Sequence, residues 1–349
     1  MKSRRTPRTA NVEDVVMVSA ATVRLSASMQ ADFKFWLMQQ NITIPLIHLM
    51  NCPELLGLLL RVYAQVLYSS GVPLGNYKHL LAGLGREKCS LRFSLGEAWE
   101  FATRWQTLEP VTHRPPLPIR VYHAMIVLAL ALGWRRWAGI LILAFEGLAR
   151  IGEPLRATRA HLLLPRDMFA EEPIVFLRID KPKSRYRGGA LVQHCSVRGR
   201  TVALLEGIFS DLEPGDPLYN GSPAMFRSRW DKLLRTLQVP LLSGLLPGGA
   251  RGGGAVAAYQ ARCPIADIMW SMRIKQATTL EHYLQEVAAI NCLGDLTPKA
   301  RRSIEIASKC FPLFCASFFE PDRSFPSGKL PSRPVRALEV PPLKALRRP

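Results

Sequence analysis

Apolar residues recur three and four apart in ADFKFWLMQQ from Ala31, PELLGLLLRVYAQVLYSS from Pro53, NYKHLLAGL from Asn76 and LGEAWEFATRWQTL from Leu95. That spacing gathers the apolar side chains of each stretch on one face, as an amphipathic helix requires. Gly71 and Pro73 separate the second stretch from the third, and GREKCSLRFS separates the third from the fourth. The pattern predicts a helical domain over residues 29–110, preceded by a flexible basic arm over 1–28. THRPPLPIR, with Pro115, Pro116 and Pro118, interrupts the helical period and marks a domain boundary. VYHAMIVLALALGWRRWAGILILAFEGLA follows, divided by Gly133, Arg135 and Arg136 into pieces of about a dozen residues. Crossing a hydrocarbon core takes about 20 apolar residues, so two buried helices around a tight basic corner are expected.

Beyond these helices the period changes. HLLLP, IVFLRI and LVQHCSV read as short strands, and DKPKSRYRGG is the basic turn between the second and third. Helical spacing returns in VALLEGIF, AMFRSRWDKLLRTL, AVAAYQ, IADIMWSM and TTLEHYLQEVAA. The expected class is mainly α with a small antiparallel sheet (α+β), the second domain covering residues 117–292. Residues 316–349, rich in Pro, Arg and Ser, have too little apolar material to fold alone and are expected to form a disordered tail.

Charge changes the picture. Forty-six Lys and Arg stand against 27 Asp and Glu, a formal net charge of +19. Such an excess favours a polyanion, because each phosphate neutralised releases condensed counterions; a ribosome or an anionic membrane surface would suit the same charge. The seven cysteines are scattered without a C-x-x-C pair, and the seven histidines do not join them at metal-ligand spacing. No metal is expected. Reduced thiols and a start without the apolar run of a secretory signal point to a nuclear or cytoplasmic protein, not a secreted one.

Several residues have the chemistry to use a phosphate. Arg150 follows an apolar helix in FEGLARIGEPLRAT, Arg251 lies in PGGARGGGAVAAYQ, and Tyr283 lies in TTLEHYLQE, 32 residues after Arg251. Two guanidinium forks can grip the oxygens of one phosphodiester, and a tyrosine hydroxyl can attack it. Each residue has a plainer reading. Arg150 can pair with Glu153 or helix-end carbonyls, Arg251 can sit in a flexible glycine loop, and Tyr283 can be a packing residue. Lys181, Lys183, Arg185 and Arg187 on the basic turn, and Arg227 and Arg229 beside Trp230, are candidate contacts to DNA phosphates.

Together these segments resemble the tyrosine recombinases, or phage-type integrases, in particular the divergent copies carried by eukaryotic mobile elements. FEGLARIGEPLRAT is similar to the family's first arginine box, ARGGGAVAAYQ to its second and TTLEHYLQE to its nucleophile helix; the likeness spans roughly residues 30–290. The resemblance implies a helical core-binding-like domain that clamps DNA and a catalytic domain in which Arg150, Arg251 and Tyr283 act with a turn lysine. Lys183 is the better match for that lysine, with Lys181 as the alternative. It also implies double-stranded DNA as substrate, a homotetramer on DNA, and DNA recombination or integration without metal or cofactor, since a phosphotyrosyl bond stores the energy. Two positions depart from the pattern: the family's histidine before the second arginine falls on Gly248, and its later histidine or tryptophan falls on Ile274. A strand-transfer enzyme, a non-catalytic DNA-binding relative and a helical protein-interaction scaffold all remain open on these residues.

Overall fold

Ser19 opens the first helix by accepting a hydrogen bond from the Thr22 amide at 3.2 Å, which satisfies a donor that a helix start leaves unpaired. The computed structural model describes residues 18–110, 114–168, 172–180, 182, 192–291, 293–294 and 296–316. Helix α1 (Ala20–Gln39) therefore begins well before the end of the expected arm. Its early turns carry polar residues at buried positions, Ser26 and Gln30. Ser26 takes a hydrogen bond from Arg86 on α4 (Leu74–Glu87), so a polar pair stands where the apolar period would have revealed the helix.

Helices α2 (Leu46–Leu49), α3 (Pro53–Ser69), α5 (Leu91–Ser94) and α6 (Gly96–Leu108) complete the amino-terminal group. α1 packs on α4 and α3 on α6 around Phe33, Trp36, Tyr63, Tyr77 and Trp105. The Tyr63 ring lies 5.1 Å from both Phe33 and Trp36. GREKCSLRFS is less of a break than its polarity suggests, because its first residues finish α4 and its last form α5.

A second core begins at Leu117. α7 (Ile119–Ala131) and α8 (Arg135–Phe145) are the two expected apolar helices. Gly133 turns the chain between them at a φ of +74°, where a side chain would be strained. Strands β1 (Leu162–Leu163), β2 (Ile174–Ile179) and β3 (Gln193–Arg198) form an antiparallel sheet in sequence order, with Leu177 opposite both Leu162 and Cys195. Val175, Leu177, Cys195 and Val197 are buried in the core. α9 (Val202–Phe209), α10 (Pro223–Thr236), α11 (Ala250–Gln260), α12 (Ile265–Met272), α13 (Ala277–Glu281) and α14 (Glu286–Asn291) follow.

The carboxy-terminal side contains more structure than the residues alone suggest. α15 (Pro298–Ala316) lies on α7 and buries Ala300, Ile304, Phe311 and Cys315 in the same core, so this unit extends past the expected limit at 292. Phe311 stacks on His123 with centroids 4.1 Å apart. Residues 317–349, most of the expected tail, lie outside the described residues, as does most of the expected arm.

The glycine-rich segment around Arg251 is a buried helix, not a flexible loop. A methyl group on Gly253 would collide with the Leu117 carbonyl oxygen, and one on Gly254 with the Phe145 carbonyl oxygen. Each glycine costs about 1 kcal/mol of helix propensity, which the close approach to α7 and α8 offsets. Gly254→Ala is expected to destabilise the fold by about 3 kcal/mol or more through overpacking against backbone. Gly215→Ala, whose methyl would meet nothing within 4 Å, serves as the near-neutral control. Urea midpoints for the two variants within error of each other would contradict this packing.

Candidate active site

α8 ends at Phe145, and the chain leaves it through Leu148, a buried residue held at a φ of +50°. Left-handed backbone at a bulky residue is costly and tends to occur where the surroundings enforce it. Arg150 comes next, beyond the helix end. Its amide donates to Glu153 Oε2 at 2.8 Å and its Nη1 to Glu153 Oε1 at 3.1 Å. Pairing with Glu153, the plainer reading of Arg150, is thus real, yet the Arg150 side chain stays 36% exposed and reachable by a ligand.

Glu153 is the hub. Its side chain is 4% exposed and also accepts Arg273 Nη2 at 2.7 Å. Arg273 caps α12 at a φ of +57°, which turns its side chain inward until it is 8% exposed. Burial alone would raise the Glu153 carboxyl, but Arg273 and Arg150 hold it below the ordinary carboxylate range. Arg251, in the first turn of α11, is buried at 3% exposure and donates through Nη2 to the Met272 carbonyl, next to Arg273. Its Cζ lies 5.5 Å from the Tyr283 ring centroid, over the ring.

Charge is poorly balanced here. Arg150, Arg251 and Arg273 face a single carboxylate. Burial and then repulsion from Arg150 lower the Arg251 pKa to about 10, with Arg273 adding to the fall and Tyr283 and Glu153 opposing it. Nε and Nη1 of both Arg251 and Arg273 have no acceptor among the described residues. Buried donors and cations are expensive to leave unpaired, so the cluster is suited to an anion with several acceptor oxygens.

Tyr283 does not sit on a continuous helix. TTLEHYLQEVAA breaks into α13 and α14, and Tyr283 occupies the turn between them, its amide donating to the Leu280 carbonyl at 2.7 Å. Half-buried there, it borders a cavity of about 320 Å³ together with Arg114, Pro116, Gly248, Gly252 and His282.

Arg150, Arg251 and Tyr283 therefore converge from three separate segments. Lys183, the preferred turn lysine, lies outside the described residues, with Lys181, Arg185 and Arg187. Arg227 and Arg229, candidate DNA contacts, pair with neighbours of their own: Arg227 pairs with Asp231 at 2.8 Å, and Arg229 lies over Trp134 and Tyr219 at 5.2 and 5.9 Å from their centroids. Trp230 does anchor that helix, buried and bonded to the Leu245 carbonyl at 2.9 Å. Ile274 packs against an apolar cluster with Leu280. Its neighbour Arg273 is the functional candidate that sequence reasoning missed. The signal for it is faint, an arginine one position before the expected donor at the end of an apolar helix.

No described helix is long and apolar enough to cross a membrane, and no cluster of three or more His, Cys, Asp or Glu among the described residues could hold a metal. The chain matches no protein-family model and no curated protein, so the functional assignment rests on the geometry and on the motifs.

Proposed function

We propose that this protein cuts and rejoins double-stranded DNA through Tyr283, in the manner of the tyrosine recombinases it resembles. One observation carries the reading: a buried arginine with two nitrogens still unpaired among the described residues lies under the tyrosine ring, beside Arg150 and Arg273. Two arginines, a tyrosine and spare donors are what an in-line attack on a phosphodiester needs.

In this reading the Tyr283 oxygen attacks phosphorus and gives its proton to a water molecule as the O–P bond forms. The bond from phosphorus to the 5′ oxygen breaks, and that oxygen takes up a proton and leaves as a hydroxyl. Lys183 is the proton donor that the resemblance supplies. The DNA 3′ end stays on Tyr283 as a phosphodiester of similar energy, and a 5′ hydroxyl from another strand reverses the step. Charge developing on the phosphoryl oxygens would meet Arg150, Arg251 and Arg273. The excess of 19 positive charges suits a duplex partner, and exchange between two duplexes calls for a tetramer on DNA.

A second reading, a DNA-binding relative without catalysis, is favoured by one specific feature. Gly248 and Ile274 stand where the family places side-chain donors, and each lost donor typically costs ~10²–10³ in rate. The two readings separate on nicked duplexes of random sequence, whose short 5′ fragment diffuses away after cleavage and traps the adduct. Strand transfer predicts a DNA-linked protein band on denaturing gels that Tyr283→Phe loses, with salt-sensitive binding retained in both. Binding that falls steeply with salt, but no band, supports the second reading. Binding indifferent to salt contradicts both and points to a scaffold.

A further inference from the structure

The proline-rich junction is more than a spacer. Residues 114–118 belong to no helix or strand and lie against the start of α11. The Leu117 amide donates to the Gly249 carbonyl at 3.1 Å. A methyl group on Gly249 would stand 2.5 Å from the Pro115 carbonyl oxygen, and one on Gly252 would touch Pro116 at 3.7 Å. Pro115 and Pro116 fix their own φ angles, so the strap reaches the site with little freedom. At its head, Arg114 extends its guanidinium over Gly248: Nη1 lies 2.9 Å from the place a β-carbon of residue 248 would occupy.

We propose that Arg114 supplies to the cleaved phosphate the hydrogen-bonding cation that Gly248 lacks. The proposal rests on Tyr283 being the DNA nucleophile. Gly248 and Arg114 then form one steric solution, because any side chain at 248 would displace the guanidinium. Arg114 and Tyr283 border the same cavity. The Arg114 guanidinium makes no hydrogen bond or ion pair with another described residue, so its donors remain available to phosphoryl oxygens. A second observation points independently to an anion here: the buried Arg251, its Nε and Nη1 unpaired among the described residues, lies in the first turn of α11, three residues after Gly248 in the turn that leads into it. The exchange has a chemical consequence. Guanidinium stays protonated at every working pH, whereas an imidazole at 248 would lose its charge near pH ~6.5.

The test measures single-turnover adduct formation at saturating concentrations of the nicked random-sequence duplex, from pH 5.5 to 8.5. Wild type, Arg114→Ala, Gly248→His and the double variant are compared. Arg114 is exposed, so its truncation leaves the core untouched, and thermal melts check this. Arg114→Ala is expected to slow the saturated step about 10²-fold, the usual effect of losing one transition-state donor. Adding Gly248→His to Arg114→Ala is expected to recover at least tenfold at pH 5.5, with a decline near pH ~6.5 that wild type lacks. Arg114→Ala within threefold of wild type overturns the proposal and leaves Tyr283's role standing. A double variant as slow as Arg114→Ala at every pH also overturns it, by placing the effect of Arg114 away from the phosphate. Wild type forming no Tyr283-dependent adduct overturns the underlying reading instead, and this role with it.

Discussion

Replacing Arg251 with methionine is expected to leave the protein at least as stable as wild type while lowering adduct formation about 10³-fold or more. A buried residue usually stabilises the fold that buries it. Arg251 is different, because the residue is 3% exposed and its guanidinium has two unpaired nitrogens among the described residues and lies among other arginines. A pKa lowered from 12.5 to about 10 means that folding disfavours its charged form by ~3 kcal/mol at 1.36 kcal/mol per unit. Methionine fills similar space without charge, and replacing poorly compensated buried ions by apolar groups is often neutral or stabilising by 1–4 kcal/mol. Urea unfolding of both proteins checks the first half and the nicked-duplex assay the second. A methionine variant destabilised by ~3 kcal/mol would show that Arg251 is structural and already balanced.

Glu153→Gln is expected to do the opposite, destabilising the fold by about 3 kcal/mol, because it leaves Arg273 buried without a counter-charge. The pH dependence follows from the direction of the Glu153 shift. Its carboxyl titrates below the ordinary range in the folded protein, so its stabilisation is complete above the unfolded value of about 4.3 and is lost as pH falls from there through the folded pKa. The gap between wild type and Glu153→Gln should therefore be full at pH 7 and narrow below pH ~4. Urea midpoints at pH 7 and pH 3 measure it. A gap that stays constant with pH would mean that Glu153 acts by shape or neutral hydrogen bonding rather than by charge.

What the residues disclosed, and what they hid, follows from local and non-local physics. α3, α4, α6, the pair α7 and α8, and the three strands announce themselves because their patterns are strong, whereas the four-residue α2 and α5 are too short to show a period. α1's early turns do not stand out, since their buried positions include the polar Ser26 and Gln30, with Ser26 bonded to Arg86. α15 hides because PKARRSIEIASK is mostly polar and Pro312 lies inside the helix, although Ala300, Ile304, Phe311 and Cys315 fall on one stripe once the partner helix is known. The glycines of α11 look like a loop because propensity counts their entropy and not the carbonyl oxygens of Leu117 and Phe145 that require them. Arg150, Arg251 and Tyr283 are legible as candidates from motif order. Their convergence is not, because it depends on Leu148 and Arg273 adopting left-handed backbone, which no local signal predicts. Arg114 enters the site only through tertiary contacts, and Arg273 leaves no more than the faint signal of its place at the end of an apolar helix.

The most direct measurement identifies the atom that DNA becomes attached to. After reaction with the nicked random-sequence duplex and nuclease trimming, the protein is digested and its peptides are sequenced by mass spectrometry. The account predicts a nucleotide 3′-phosphate on Tyr283, within the peptide Gln276–Lys299, and none from Tyr283→Phe. An adduct on another residue, or one that persists in Tyr283→Phe, would contradict it.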